Sequence, residues 1–165
     1  MKKVILSFVL MGPLIGGTFS NARAQEKKLS FSLNLGVQTL LYRESSFDNA
    51  WFTLDARVGL ALGKFLEISP EVMFTTDDSL EFDVTWFYPG LLLNLRLGDF
   101  FVGAGAVLPI VFYERGSESG NLAPKVNIGY SAGPFALTAY LFTWTEEYLD
   151  FLEFNFIGAT IGYKF

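Results

Sequence analysis

Apolar and polar residues alternate with a period of two along residues 29–42. The apolar positions are Leu29, Phe31, Leu33, Leu35, Val37 and Leu41, and the positions between them include Ser30, Ser32, Asn34, Gly36 and Gln38. A period of two is typical of a β-strand with one apolar face. Residues 52–62 and 66–74 repeat the pattern. The chain therefore begins as a series of long strands, each polar on one side and apolar on the other.

An internal repeat organises the rest of the chain. The tripeptides Gly63-Lys64-Phe65, Gly98-Asp99-Phe100 and Gly133-Pro134-Phe135 begin at intervals of 35 residues. Each one predicts a tight turn between strands. Polar stretches near 43–50, 76–81, 114–121 and 145–150 lie midway between the turns and predict loops. The chain then holds eight strands of about 13 residues, which span roughly 30 Å when tilted at about 45°.

One stretch of the sequence also fits a different structure. Residues 126–145 carry no formal charge over 20 positions and are long enough for a transmembrane helix. Gly133-Pro134 lies near the middle, where the repeat predicts a turn. We therefore expect two strands here and not a helix.

The N-terminus has the features of an export signal. Lys2 and Lys3 precede an apolar run that ends near Ile15, and small residues follow up to Ala24. This order is typical of a secretory signal peptide, here residues 1–24, and the apolar run is too short for a membrane anchor. Residues 25–165 then form a single domain.

Composition excludes several classes of function. The chain has no cysteine and no histidine, which removes disulfides, thiolate sites, the usual general base and the commonest zinc ligand. Removal of Lys2, Lys3 and Arg23 would leave 9 of the 12 basic residues against 17 acidic ones, a net charge of −8, so we expect no nucleic-acid partner. Aromatic residues make up 17% of the chain and the mean hydropathy is +0.35. Such a surplus of apolar surface predicts contact with something other than water.

The last strand carries the most specific signal. Its apolar positions are Ile157, Ala159, Ile161, Tyr163 and Phe165. This terminal strand, above all Ile161, Tyr163 and Phe165, resembles the assembly signal of the small eight-stranded bacterial outer-membrane β-barrel proteins.

The resemblance implies a fold and a set of partners. The fold would be an all-β, eight-stranded, antiparallel, up-and-down transmembrane barrel, with short periplasmic turns at Gly63, Gly98 and Gly133 and longer extracellular loops. Its partners would be membrane lipid, lipopolysaccharide and the machinery that assembles outer-membrane barrels. The resemblance implies no cofactor.

Charged residues on the polar strand faces predict the content of the lumen. They are Asp55, Arg57, Glu67, Glu71, Arg96 and Lys125. Arg57 and Glu71 are equidistant from Lys64, so we expect them to face each other across the hairpin. An eight-stranded barrel is just wide enough for side chains to fill it, so we expect this polar network to plug the lumen. Residues 101–112 and 135–144 are apolar or small on both faces, so periodicity does not assign their orientation and part of the interior could be apolar.

Aromatic residues gather at both predicted strand ends, as in interfacial girdles. Near the turns are Phe65, Phe100, Phe101, Phe135, Tyr163 and Phe165, and near the loops are Tyr42, Trp51, Trp86, Tyr88, Tyr113 and Trp144. The alternative is that some of these rings fill the interior.

Charge is divided between the two ends. The loop regions 43–50, 76–83, 114–121 and 145–153 hold twelve acidic residues and two basic ones, Arg43 and Arg115. This acidic rim could hold the divalent cations that bridge lipopolysaccharide, or it could simply be solvated.

Three hypotheses for function remain open. The first is a non-enzymatic barrel with a structural or surface-interaction role. The second is a narrow pore or a carrier of small molecules, and the third is a soluble secreted barrel similar to lipocalins. Lipid A deacylases and palmitoyltransferases of similar size rely on a histidine with a serine, and this chain has no histidine. We therefore expect no catalytic site.

Overall fold

A computed structural model describes residues 29–41, 50–76, 84–113, 116–144 and 154–165. These residues form ten strands of one antiparallel sheet. The strands are β1 Leu29–Leu41, β2 Ala50–Leu62, β3 Leu66–Thr76, β4 Thr85–Leu97, β5 Phe100–Val107, β6 Ile110–Tyr113, β7 Gly116–Ser119, β8 Ala123–Ala132, β9 Phe135–Trp144 and β10 Phe154–Lys164. Within these ranges no helix is long and apolar enough to cross a membrane. The predicted signal peptide, residues 1–24, lies outside the described residues.

The sheet closes on itself, because β1 pairs with β10 and β3 pairs with β4. Both β5 and β6 pair with β4, and together they form the fifth barrel strand, interrupted at Leu108 and Pro109. In the same way β7 and β8 form the sixth strand, interrupted at residues 120–122. The predicted fold, a closed eight-stranded antiparallel barrel, is confirmed.

The chain turns at all three repeated glycines. Gly63, Gly98 and Gly133 have φ angles of 76°, 70° and 61°, the left-handed region that glycine adopts without a steric cost. Gly133-Pro134 is a two-residue connection between β8 and β9. Proline fixes a negative φ at its own position, so this turn has the type II′ form that suits twisted hairpins. Residues 126–145, whose length and lack of charge also fit a transmembrane helix, are therefore mainly β8, this turn and β9.

Side chains divide cleanly between the two faces of the wall. Leu33 and Ile161 are 47% and 61% exposed on the outside, whereas Asp55 and Glu71 are 0% and 2% exposed on the inside. The polar faces predicted from alternation therefore line the lumen, and the apolar faces form the outer surface.

The structure also assigns the two strands whose orientation the sequence left open. Phe101 and Val107 of β5 point into the barrel, as do Tyr140 and Phe142 of β9. Both strands place large apolar rings inside, which is why neither shows a polar face.

One predicted loop is partly wrong. Residues 114–121 were expected to be loop, but Gly116–Ser119 forms β7 and pairs with β6. Its composition of glycine, serine and glutamate is typical of loops. The pairing here depends on backbone hydrogen bonds, which need no apolar side chains, so a polar segment can extend the sixth strand.

Replacement of a turn glycine tests the importance of its backbone conformation. We expect Gly133→Ala to lower the free energy of unfolding by about 1–2 kcal/mol, because an L-residue is strained at positive φ. Gly116→Ala is the matched control, since Gly116 is not at positive φ and an added methyl group meets no atom within 4 Å. Urea unfolding of both variants in the same detergent measures the difference, and equal stabilities would contradict the role of the turn.

Candidate functional site

Four buried charged residues meet near the middle of the lumen. Arg57 Nη2 lies 2.5 Å from Asp55 Oδ2, and Arg57 Nε lies 3.1 Å from Glu71 Oε2. Lys125 of β8 reaches across the barrel and places its Nζ 2.5 Å from Glu71 Oε1. We call these four residues the charge cluster. Two cations and two carboxylates make it neutral.

Neutrality matters because every member of the charge cluster is removed from water. Arg57 is 9% exposed and the other three are at most 2% exposed. Each buried ion costs several kcal/mol of hydration, which pairing offsets only when the geometry is good. Further contacts help: Asn34 Nδ2 donates to Asp55 Oδ2 at 3.3 Å, and Lys125 Nζ lies 4.6 Å from the centroid of the Tyr140 ring. The cluster therefore ties β1, β2, β3, β8 and β9 together across the lumen.

On the loop side of the charge cluster the lumen is filled by large side chains. Met73, Tyr88, Tyr140, Phe142 and Phe156 are all at most 2% exposed, and we call this set the aromatic plug. Its rings pack closely, with centroids 5.1 Å apart for Tyr88 and Phe142 and 4.8 Å apart for Phe142 and Phe156. These packed side chains occupy the lumen between the charge cluster and the loop end.

Gln38 satisfies the two tyrosine hydroxyls of the aromatic plug. Tyr140 Oη donates to Gln38 Oε1 at 3.1 Å, and Gln38 Nε2 donates to Tyr88 Oη at 3.4 Å. A buried hydroxyl without a partner would cost free energy, so this bridge allows tyrosine inside the barrel. The bridge also connects β1 with β4 and β9.

On the turn side of the charge cluster the lumen contains a polar cavity, which we call the vestibule. It is lined by Ser30, Ser32, Asn34, Arg57, Gly59, Glu67, Ser69, Asn94, Arg96, Phe101, Ser131, Ala136, Thr138 and Lys164. Glu67 is its centre, because its carboxylate accepts from Arg96 Nη1 at 2.5 Å and from Ser69 Oγ at 3.0 Å. Lys164 Nζ lies 4.0 Å from the same carboxylate. The lumen is thus layered into vestibule, charge cluster and aromatic plug.

Inward-facing glycines make room for the large inward side chains. Gly158 lies opposite Tyr140, Gly129 opposite Phe101 and Gly162 opposite Asn34. A Cβ at any of these glycines would overlap the side chain of its cross-strand partner. The barrel therefore fills its narrow interior by pairing a residue without a side chain with a bulky or polar one.

The six residues predicted for the lumen divide into two groups. Asp55, Arg57, Glu71 and Lys125 form the charge cluster, whereas Glu67 and Arg96 pair in the vestibule. The register places Arg57 directly opposite Glu71, as their equal distances from Lys64 predict. Lys164 also lines the lumen but was not among the residues predicted for it. Its place on the same face of β10 as Thr160 and Gly162 could have indicated this position.

The aromatic girdle at the turn end is present, with one correction. The exposed fractions lie between 44% and 65% for Phe65, Phe100, Phe135, Tyr163 and Phe165. Neighbouring rings contact each other, for example Phe135 and Tyr163 at 5.5 Å between centroids. Phe101 was expected among them but points inward over Gly129, because it follows the outward Phe100 in the strand alternation.

The girdle predicted at the loop end is mostly wrong. Tyr88 is fully buried, and Trp51 and Trp86 pack against the buried core of the lumen. Each lies on the polar face of its strand, so alternation turns it inward. Tyr113, which was predicted here, is 42% exposed. The other outward aromatic residues near this end are Phe52, Phe74, Phe87 and Phe112. Tyr42 and the side chain of Trp144 lie outside what the structure describes.

The acidic rim lies largely beyond the described residues. Positions 42–49, 77–83, 114–115 and 145–153 are not described, and these hold most of the loop carboxylates. In the part of the chain that is described, no three acidic residues come close enough together to hold a metal ion.

A closed barrel with an apolar outer wall and a charged lumen is an architecture that outer-membrane β-barrel proteins share. Among solved structures, the chain is similar to Neisserial surface protein A, with a TM-score of 0.56 and 10% identity over 83% of this chain and 96% of that one.

Two further similarities are to Ail of Yersinia pestis. The first, determined in a phospholipid bilayer nanodisc, has a TM-score of 0.49 and 14% identity over 82% of this chain and 99% of that one. The second, in complex with the heparin analogue sucrose octasulfate, has a TM-score of 0.44 and 16% identity over 83% and 97%. No family model and no curated protein sequence matches the chain.

Removal of one charge from the charge cluster tests how far the fold depends on it. We expect Glu71→Gln to lower the free energy of unfolding by about 3–5 kcal/mol, because Arg57 and Lys125 would then share only Asp55 away from water. Glu118→Gln, an equal change on the exposed strand β7, is the matched control and should leave stability unchanged. Urea unfolding in lipid vesicles gives both values, and a stable Glu71→Gln barrel would show that the cluster is dispensable.

Proposed function

We propose that the chain is an integral outer-membrane protein with a structural or surface-interaction role, no catalytic activity and a plugged lumen. The observation that carries this proposal is the aromatic plug, whose five members are at most 2% exposed inside a barrel with an apolar outer wall. A barrel filled in this way offers its surface and its loops, and not its interior, for contact with other molecules.

Several features support residence in a membrane. Most outward positions of β1, β4 and β10 are apolar, and the longest strands have 13 residues. Strands of this length tilted at about 45° cross roughly 30 Å of hydrocarbon. The aromatic girdle at the turn end would lie at the membrane interface. Membrane lipid is therefore the partner proposed for the outer wall.

Orientation and export follow from the sequence. Residues 1–24 would direct secretion, and the last strand, with Ile161, Tyr163 and Phe165 outside the barrel, would be recognised by the outer-membrane assembly machinery. Short turns would face the periplasm and the loops the exterior. The acidic loops would then contact lipopolysaccharide, with divalent cations between the two sets of anions.

Lack of catalysis is supported by the state of the buried carboxylates. Asp55, Glu67 and Glu71 each lie within 4 Å of a cation. A carboxylate held as a counter-ion is poorly placed to exchange protons with a substrate. The sequence also contains no histidine to act as a base.

A second candidate function is a narrow pore, which the vestibule favours because it opens the turn end of the lumen to polar solutes. Continuation to the loop end would require passage through the aromatic plug. The two functions therefore differ in one measurable property, the conductance of the folded barrel.

Planar-bilayer recording distinguishes the two functions. We expect no steady conductance from the native barrel and a clear increase for the double variant Tyr140→Ala/Phe142→Ala, which removes two large rings from the plug. Leu141→Ala, between them on the outward face, is the matched control and should stay silent. Folding of each protein is checked by its change in gel mobility on boiling. Steady channels from the native protein would favour the pore.

A further inference from the structure

The hydrogen-bonded wall of the barrel is not equally regular in every strand. β10 pairs with β9 and with β1 without a break, and so does β3 with β4. The register between β4 and the fifth barrel strand, in contrast, is interrupted inside both strands. Its pairs stop at Val107 and resume at Ile110, which leaves Leu108 and Pro109 outside the regular pairing. The fifth strand is therefore weakly held in its middle.

Two prolines on neighbouring strands explain this interruption. Leu108 N donates to Pro89 O at 2.9 Å. The return bond of such an antiparallel pair would run from the N–H of residue 89 to Leu108 O, but proline has no N–H. On the other side of the strand, Gly120 N donates to Pro109 O at 2.8 Å, and Pro109 has no N–H to donate in return. One backbone hydrogen bond remains on each side, and the carbonyl without a donor lowers the stability of the closed wall here.

A second interruption in the wall differs in what holds the strands together. Pro70 breaks the pairing between β2 and β3 opposite Val58. The ion pair between Arg57 and Glu71 joins these same two strands beside the missing bond. At the interruption of the fifth strand the residues are leucine and proline, whose apolar side chains form no such link. Of these two places in the described wall, the fifth strand is therefore the one that opens more easily.

Apolar side chains lie directly behind this part of the fifth strand. Tyr88 and Val107 are the chain neighbours of Pro89 and Leu108, and both are 0% exposed within the buried cluster that contains the aromatic plug. The outer face beside them is apolar as well, with Leu91 of β4 54% exposed. A gap between β4 and the fifth strand would therefore join an apolar interior to an apolar outer surface.

We propose that the fifth barrel strand opens locally at Leu108 and Pro109 and forms a lateral port, through which the acyl chain of a membrane lipid reaches the aromatic plug. Opening breaks the two backbone hydrogen bonds that these residues form, whereas two residues of a regular inner strand form four. Met73 gives the plug a flexible thioether side chain that adapts to a guest. The contact of the port with lipid rests on the proposed membrane location, but the opening of the strand does not.

Backbone amide hydrogen exchange in the native folded protein tests the opening. Leu108 N–H is compared with Ile157 N–H, since Ile157 pairs with Thr39 and Leu141 in two uninterrupted ladders. After correction for intrinsic exchange rates, we expect Leu108 to exchange about tenfold faster, because neighbouring backbone bonds are missing there. Equal protection of the two amides would overturn the proposal, and this comparison does not depend on the folding of any variant.

An alanine in place of the proline in β4 tests the cause of the opening. Pro89→Ala supplies an N–H for Leu108 O and should slow the exchange of Leu108 by about tenfold. Pro70→Ala, the same change at the interruption between β2 and β3, is the matched control and should leave the exchange of Leu108 as in the native protein. An exchange rate of Leu108 that Pro89→Ala does not change would also overturn the proposal.

Fluorescence quenching by brominated phospholipid acyl chains tests whether lipid reaches the plug. The Trp86 ring centroid lies 6.1 Å from that of Tyr88, and the changes Trp51→Phe and Trp144→Phe leave Trp86 as the single tryptophan. In vesicles of the brominated lipid, we expect quenching of Trp86 that falls when Pro89→Ala is added and stays the same when Pro70→Ala is added.

The outcomes separate the port from the membrane location. Flotation of the protein with the vesicles is checked first, and a protein that does not float would contradict the proposed location while the exchange rates still decide the opening. In a protein that floats, quenching of Trp86 that Pro89→Ala does not reduce would overturn the port, even with fast exchange at Leu108.

Discussion

The membrane that we propose around this barrel sets one constraint: in hydrocarbon every backbone N–H and C=O group must find its partner within the protein. A sheet meets this constraint only when it has no free edge, which is why β1 pairs with β10. Closure then separates an inner from an outer face along every strand. The outer face carries apolar side chains, and the inner face carries all seven charged side chains of the vestibule and the charge cluster.

The narrow lumen imposes a second condition, that its contents fit and balance one another. Cross-strand pairs such as Gly158 with Tyr140 solve the problem of volume, because one partner contributes no side chain. The problem of charge is solved by making the most deeply buried set neutral, with Lys125 reaching Glu71 across the barrel. In the vestibule, Arg96 and Lys164 both lie near the carboxylate of Glu67.

Alternation predicted the outer face of β1, β2 and β3, because polar residues mark their inner face. The Arg57–Glu71 pairing was also predictable, since a hairpin centred on Lys64 fixes which residues are opposite. The orientation of β5 and β9 was not predictable, because the aromatic plug makes the lumen apolar at its loop end and removes the contrast between the faces. Trp51 and Trp86 were misplaced for a related reason: an aromatic ring suits both a membrane interface and a packed interior. The contact of Lys125 with Glu71 depends on closure of the whole ring, which local spacing does not encode.

The proposed membrane requires that the outer face of the wall meets lipid, and two adjacent positions of β10 test this requirement. Thr160 is 1% exposed and Ile161 is 61% exposed, and the native chain has no cysteine to interfere with labelling. Spin labels at Thr160→Cys and Ile161→Cys in lipid bilayers are compared for relaxation by oxygen dissolved in the hydrocarbon. If the outward face of β10 meets lipid, we expect strong relaxation at Ile161→Cys and little at Thr160→Cys. The reverse order would contradict this orientation of the wall.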